Sequence, residues 1–155
     1  MERSINKQTI FQLTEKTKGR LIFSICLICV FLFLYTAYSK ILEHGRFLKG
    51  LSRVEFLGSF AGPISWAVPV AEISVAVLMI IPKAYKFGLW AFVALMAMFT
   101  GYILGMLLWA TKLPCHCGGV IETLTWQQHI WFNMIFVGLA IFALRLCKKK
   151  NNSKI

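Results

Sequence analysis

The sequence predicts an all-α membrane protein, a bundle of four transmembrane helices that forms one domain over residues 1–155. Three observations lead to this fold class. Apolar residues make up 58% of the chain and charged residues 15%, whereas an ordinary globular domain carries about 25% charge. The mean hydropathy of +0.69 is too high for a water-exposed surface or for a disordered chain. Four apolar stretches are each long enough for a helix across the hydrocarbon core, which takes about 20 residues.

The predicted spans are residues 21–39, 64–81, 87–110 and 130–147. In lipid the backbone polar groups must be satisfied within the segment, so each span is expected to be a helix. A mostly polar tail of 20 residues precedes the first span, which indicates an uncleaved anchor and not a signal peptide. The short connection 82–86 predicts an antiparallel hairpin of the second and third spans. The longer connections, 40–63 and 111–129, are expected to be loops.

The distribution of basic residues predicts the orientation. Of the 17 Lys and Arg residues, twelve lie in the N-terminal tail, the short hairpin and the C-terminal end, and five lie in the two longer connections. The positive-inside rule therefore predicts cytoplasmic termini and places both longer connections on the outer side. The net charge of +11 does not indicate nucleic-acid binding, because the cations flank apolar segments instead of forming one basic face.

The pair Cys115 and Cys117 lies in the last outer connection, on the oxidising side of the membrane. Residues two apart in an extended segment point the same way, so the two sulfurs can meet in a small, strained ring. Strained and exposed disulfides are typically the reactive ones, and His116 between the thiols would favour the thiolate. The spacing also allows a passive staple of the loop, or a soft-metal site completed by His129.

Glu72 is an acidic residue inside the second span, where a charge is costly and indicates a functional site with a partner. At helical rise it lies about 12 Å below the start of that span. Tyr102 is expected at the same depth in the third span, and Lys40 at the end of the first span could reach this level. The three residues are interpreted either as a functional cluster or as a buried structural ion pair with a neighbouring tyrosine.

His129 and Asn133 are four residues apart at the start of the fourth span, on one helix face. Hydrogen bonding between helices is the simpler interpretation, and a direct chemical role is the alternative. Cys26 and Cys29 share a face of the first span; with Cys147 they are interpreted as small packing residues, although an inner thiol relay would use the same spacing.

Five short motifs occur in a characteristic order. They are Tyr35-Thr36-Ala37-Tyr38-Ser39-Lys40, Pro69-Val70-Ala71-Glu72, Phe99-Thr100-Gly101-Tyr102, Cys115-His116-Cys117-Gly118-Gly119, and the set Trp126, His129 and Phe132-Asn133. In these motifs the chain resembles the MauE/DoxX-like family of bacterial four-helix membrane proteins, and specifically its methylamine-utilisation MauE branch. The resemblance covers residues 35 to 144. The Gly-Gly after the second cysteine differs from the Phe-Gly that is common in that branch.

The resemblance implies a multi-pass protein of the bacterial inner membrane with a redox-associated function. It implies that Cys115 and Cys117 exchange thiols and disulfides with a periplasmic thioredoxin-like partner, as in maturation of the disulfide-rich small subunit of methylamine dehydrogenase. It also assigns the family's lysine and intramembrane glutamate to Lys40 and Glu72. If the protein is an enzyme, it would be a thiol–disulfide oxidoreductase component. A quinone cofactor is compatible with this function, although no quinone motif is readable. The alternatives are a non-enzymatic membrane chaperone or scaffold with a Cys-x-Cys staple, or a soft-metal-handling membrane protein.

Overall fold

The computed structural model describes residues 15–52, 58–109 and 126–152, and all secondary structure in these ranges is helical. In chain order the elements are α1 (Glu15–Leu42), α2 (His44–Ser52), a 3₁₀ turn (Gly58–Phe60), α3 (Ala61–Ile80), α4 (Tyr85–Trp109) and α5 (Trp126–Asn152). Four of these helices, α1, α3, α4 and α5, are long and apolar enough to cross a membrane. The predicted class, a multi-pass all-α membrane protein with four spans, is confirmed at this level.

The helices differ from the predicted spans mainly at their ends. Helix α1 begins at Glu15, six residues before the predicted span, and α5 continues to Asn152, five residues beyond it. Apolar length marks only the part of a helix that can lie in lipid, and a helix can continue into water through charged residues. The predicted hairpin is confirmed: α3 ends at Ile80, α4 begins at Tyr85, and the two helices pack together.

The prediction of connection 40–63 as a loop is wrong over much of its length. Helix α1 extends through Leu42, and α2 with the 3₁₀ turn follows before α3 begins. Helix α2 has only nine residues and is amphipathic: Leu51 is buried, whereas Arg46 and Lys49 are exposed. A search for long apolar runs does not detect such a helix, because polar residues occupy one of its faces.

The core lies between α1, α3, α4 and α5. Its largest buried side chains include Phe33 of α1 and Phe92 of α4, whose ring centroids are 4.4 Å apart. Cys26, Cys29 and Cys147 are buried in this core as free thiols, in agreement with the packing role predicted for them. Large apolar side chains also cover the outer faces of the helices, as expected where the surrounding solvent is lipid.

Gly88 allows α3 and α4 to approach closely near their hairpin. A Cβ atom on Gly88 would lie 2.8 Å from the backbone nitrogen of Met79 and 2.6 Å from its Cγ atom. The backbone nitrogen cannot rotate out of the way as a side chain can, so the contact requires glycine at this position.

Candidate functional site

Lys40 and Glu72 form an ion pair inside the bundle. The Nζ atom of Lys40, in the last turn of α1, donates a hydrogen bond of 2.7 Å to Oε1 of Glu72 in α3. The Glu72 side chain is 1% exposed and that of Lys40 is 16% exposed. The pair is therefore poorly screened, and each charge depends on the other for stabilisation.

Two further side chains contact the ion pair, Thr36 and Phe99. Neither of them was given a role in the site from the sequence. The Thr36 hydroxyl lies 3.2 Å from Oε1 of Glu72 and 3.2 Å from the Phe33 carbonyl oxygen, so its single proton can bond to either acceptor. The Lys40 ammonium lies 5.5 Å from the centroid of the Phe99 ring, within the range of a cation–π contact. Thr36 lies one turn before Lys40 on the same face of α1, and that spacing is the signal that could have identified it.

The second carboxylate oxygen of Glu72 is left unsatisfied. Oε2 is buried and has no hydrogen-bond partner among the described residues. A carboxylate has two acceptor oxygens, and a buried acceptor without a partner is destabilising. Within the described ranges the ion pair therefore satisfies only one of the two oxygens of this carboxylate.

A cavity of about 500 Å³ lies beside the ion pair, within the volume range of small-molecule sites. All five helices contribute to its walls, which are predominantly apolar. Five residues that the sequence singled out line it together: Lys40, Glu72, Tyr102, His129 and Asn133. The structure thus brings these residues to one place.

Asn133 takes part in a hydrogen-bonded link between helices. Its Nδ2 atom on α5 donates to the Thr100 hydroxyl on α4 at 3.2 Å, and that hydroxyl donates to the Met96 carbonyl oxygen at 2.8 Å. Asn133 and Thr100 are both buried. Asn133 thus makes a hydrogen bond between helices of the kind that the sequence suggested. His129, one turn earlier, is partly buried at the cavity wall.

His44 joins α2 to α3 at the same end of the bundle as Lys40. Its Nε2 atom lies 3.0 Å from the hydroxyl of Ser65, which donates a 2.6 Å hydrogen bond to the Gly62 carbonyl oxygen. The imidazole also packs against Trp66, with ring centroids 4.5 Å apart. These contacts hold α2 over α3, so that Phe47 and Leu51 can line the cavity.

Cys115, His116 and Cys117 lie outside the described residues, as does the rest of the 110–125 segment that carries them. This segment follows α4, which contributes Tyr102 to the cavity, and precedes α5, which contributes His129. The soft-metal alternative, which combines the two cysteines with His129, falls outside the described residues for the same reason. The predicted chemistry of the thiol pair remains a prediction.

The chain is similar to a known protein family. A family model described as "Methylamine utilisation protein MauE" matches residues 18–146. No curated protein and no solved structure matches the chain. The matched range includes the second and third membrane-spanning segments, all but the outermost residues of the first and fourth, and the Cys-x-Cys segment.

Proposed function

This chain belongs to the MauE family, and from that membership we propose that it is an inner-membrane component of periplasm-facing thiol–disulfide exchange. Cys115 and Cys117 are the exchanging pair, and the partner is a periplasmic thioredoxin-like protein. The family description gives the wider process as methylamine utilisation. In that process the exchange would serve maturation of a disulfide-rich subunit of methylamine dehydrogenase.

The observation that carries the proposal is the position of the Cys-x-Cys pair in the chain. The pair lies in the segment that connects α4 to α5, the helices that bring Tyr102 and His129 to the cavity beside Lys40 and Glu72. The chain thus carries the thiol pair between two helices that line a cavity with a buried charge cluster, and buried charges in membrane spans typically mark functional sites.

The exchange consists of two thiolate attacks. A thiolate of the partner attacks one sulfur of a Cys115–Cys117 disulfide; that bond breaks, a mixed disulfide forms, and the other cysteine leaves as a thiolate. The second thiolate of the partner then attacks the mixed disulfide. The partner is thereby oxidised to a disulfide and the pair is reduced to a dithiol, a transfer of two electrons. The reversed steps reduce an oxidised partner.

The orientation belongs to the same proposal. The excess of basic residues in the two terminal regions and the hairpin indicates that these face the cytoplasm. The segment with Cys115 and Cys117 then faces the periplasm, where disulfides persist. An even number of spans puts the two termini on the same side, which agrees with the four helices observed.

Trapping of the mixed disulfide tests the proposal. In C115S the Cys117 thiolate can still attack the disulfide of an oxidised partner, but no Cys115 thiol is left to displace the partner from the mixed disulfide. A disulfide-linked adduct with a thioredoxin-like protein should therefore accumulate, visible on a non-reducing gel and abolished by reductant. Two glycines, which have no side chains, follow Cys117 in the sequence, so we expect the partner to react at Cys117 and C117S to trap less adduct. The C115S/C117S double variant is the matched control, because it keeps the three buried thiols and should trap none.

Two results would contradict the proposal. The first is an absence of adducts from both single variants together with full activity of the double variant; this would favour a scaffold with a structural Cys-x-Cys staple. The second is stoichiometric soft metal in the purified protein that is lost in the double variant, which would favour metal handling. Mass-tagging of thiols in intact cells separates these cases further, since a staple stays fully oxidised when partner proteins are removed.

A further inference from the structure

The cavity beside the ion pair has the form of a ligand site. Its volume of about 500 Å³ would hold a molecule with a ring and a short chain. The wall is formed largely by apolar side chains, among them Leu95, Met98 and Phe132. A ligand that enters it must therefore be mainly apolar, and the surrounding lipid is the phase from which such a molecule would come.

Among the polar side chains at the cavity wall, Lys40 is the one with an ammonium group. An ammonium group has three N–H donors, and among the described residues only Oε1 of Glu72 accepts a hydrogen bond from it. Lys40 retains 16% exposure, whereas Glu72 retains 1%. The ammonium thus has further donors to offer at the cavity wall, which Glu72 also lines.

The charge of the pair limits the ligand further. Glu72 balances the charge of Lys40, so the pair is neutral as a unit. An anionic ligand would add an unbalanced charge to an apolar cavity, which is strongly unfavourable. A neutral acceptor, such as a carbonyl oxygen, gains a charge-assisted hydrogen bond without that cost.

We propose that this cavity binds an uncharged, lipid-soluble molecule that presents a carbonyl oxygen to the Lys40 ammonium. Two sources supply this chemistry in a membrane, a quinone ring and the ester of a glycerolipid. The proposal stands on the cavity and the ion pair alone, and it does not depend on the thiol chemistry of the 110–125 segment. Binding and mixed-disulfide trapping can therefore succeed or fail separately.

Binding is measured on the full chain in dodecyl maltoside, a detergent without carbonyl groups. The probes are decyl-substituted benzoquinone, monoolein and decanoate, and the readout is a saturable rise in the unfolding temperature with probe concentration. At least one of the two carbonyl probes should bind, and the tighter one identifies the source. Decanoate is negatively charged at neutral pH, so it should bind at least about tenfold more weakly than the tighter carbonyl probe. A tenfold difference in affinity corresponds to about 1.4 kcal/mol.

Two variants locate the binding in the cavity. Ala71 lines the cavity, so A71F should fill it and reduce the affinity for the carbonyl probe by about tenfold or more. A94F is the matched control, because Ala94 is exposed and does not line the cavity, and it should bind as the wild type does. The double variant K40M/E72L removes both charges together and should also lose about tenfold, the value of one hydrogen bond to a charged group.

Three results would overturn the proposal. One is the absence of saturable stabilisation by either carbonyl probe. Another is unchanged affinity in both A71F and K40M/E72L, which would place the binding elsewhere on the protein. The third is decanoate binding as tight as that of the carbonyl probes, which would show that a negative head group is accepted.

Discussion

Replacement of Lys40 with methionine should destabilise the protein strongly, because it leaves the charge of Glu72 without its partner. Glu72 is 1% exposed, its Oε1 atom would keep only the shared hydroxyl of Thr36, and its Oε2 atom already has no donor among the described residues. Removal of one partner of a buried ion pair typically costs about 3–5 kcal/mol. We expect K40M to lose stability in this range.

The reverse substitution should cost less. Lys40 is 16% exposed and lies in the last turn of α1, so in E72L its long side chain can turn its ammonium group toward the membrane surface. Removal of both charges in K40M/E72L leaves no buried charge, and its stability should lie within about 1 kcal/mol of wild type. The double-mutant cycle should therefore give a coupling energy of about 3 kcal/mol.

Unfolding by denaturing detergent, followed by loss of helical circular dichroism, measures these differences. K49M is the matched control for the lysine, because Lys49 is exposed on α2; its effect should stay within about 0.5 kcal/mol. A coupling energy below about 1 kcal/mol, as exposed pairs give, would refute the reasoning. If K40M/E72L is stable and still exchanges thiols fully, the pair is structural and has no part in the proposed function.

Three further predictions concern packing, hydrogen bonding and topology. G88A should lower the free energy of unfolding by about 1–3 kcal/mol, since its Cβ atom would meet the backbone of α3. G138A is the control and should leave the stability nearly unchanged, because its Cβ atom would lie in open space. Equal effects of the two substitutions would contradict the close approach of α3 and α4. N133L should lower the free energy of unfolding by about 0.6–1.7 kcal/mol, because it removes the hydrogen bond to Thr100. The double variant N133L/T100V should lose no more stability than N133L alone, because neither partner is then left unpaired. Additive losses would contradict this pairing. A periplasm-active reporter fused after Lys154 should give no signal, and a strong signal would reverse the proposed orientation.

The fold could be predicted from the sequence for the segments that cross the membrane, because the lipid allows only one backbone conformation for them. Each membrane-crossing segment must be helical over a fixed length, so hydropathy located all four spans, and the short connection at 82–86 identified the hairpin. Helix α2 does not cross the membrane, and its stability depends on Leu51 and its neighbours packing against the bundle. That packing is a tertiary property that a window of hydropathy does not contain.

For the candidate site, the sequence predicts how deep a residue lies in the membrane but not how its helix is rotated in the bundle. Helical rise gives the depth of a residue in the membrane, so the sequence predicts Glu72, Lys40 and Tyr102 at one level, and all three line the cavity. Which helix faces meet depends on how each helix is rotated in the bundle. The contacts of Thr36 with Glu72 and of Asn133 with Thr100 depend on this rotation, and sequence spacing alone does not determine it.

The location of the ion pair also has a consequence for biosynthesis. Lys40 is near the end of α1, so while α1 stands alone its ammonium group can remain hydrated at the membrane surface. Glu72 lies in the middle of α3 and has no such route; inserting an acidic residue at the centre of an isolated helix costs about 2.5–3.5 kcal/mol. Synthesis from the N-terminus delivers the lysine first. The third helix of the chain can therefore enter the membrane against a helix that already carries its counter-ion, which makes α1 an assembly partner for α3 during insertion.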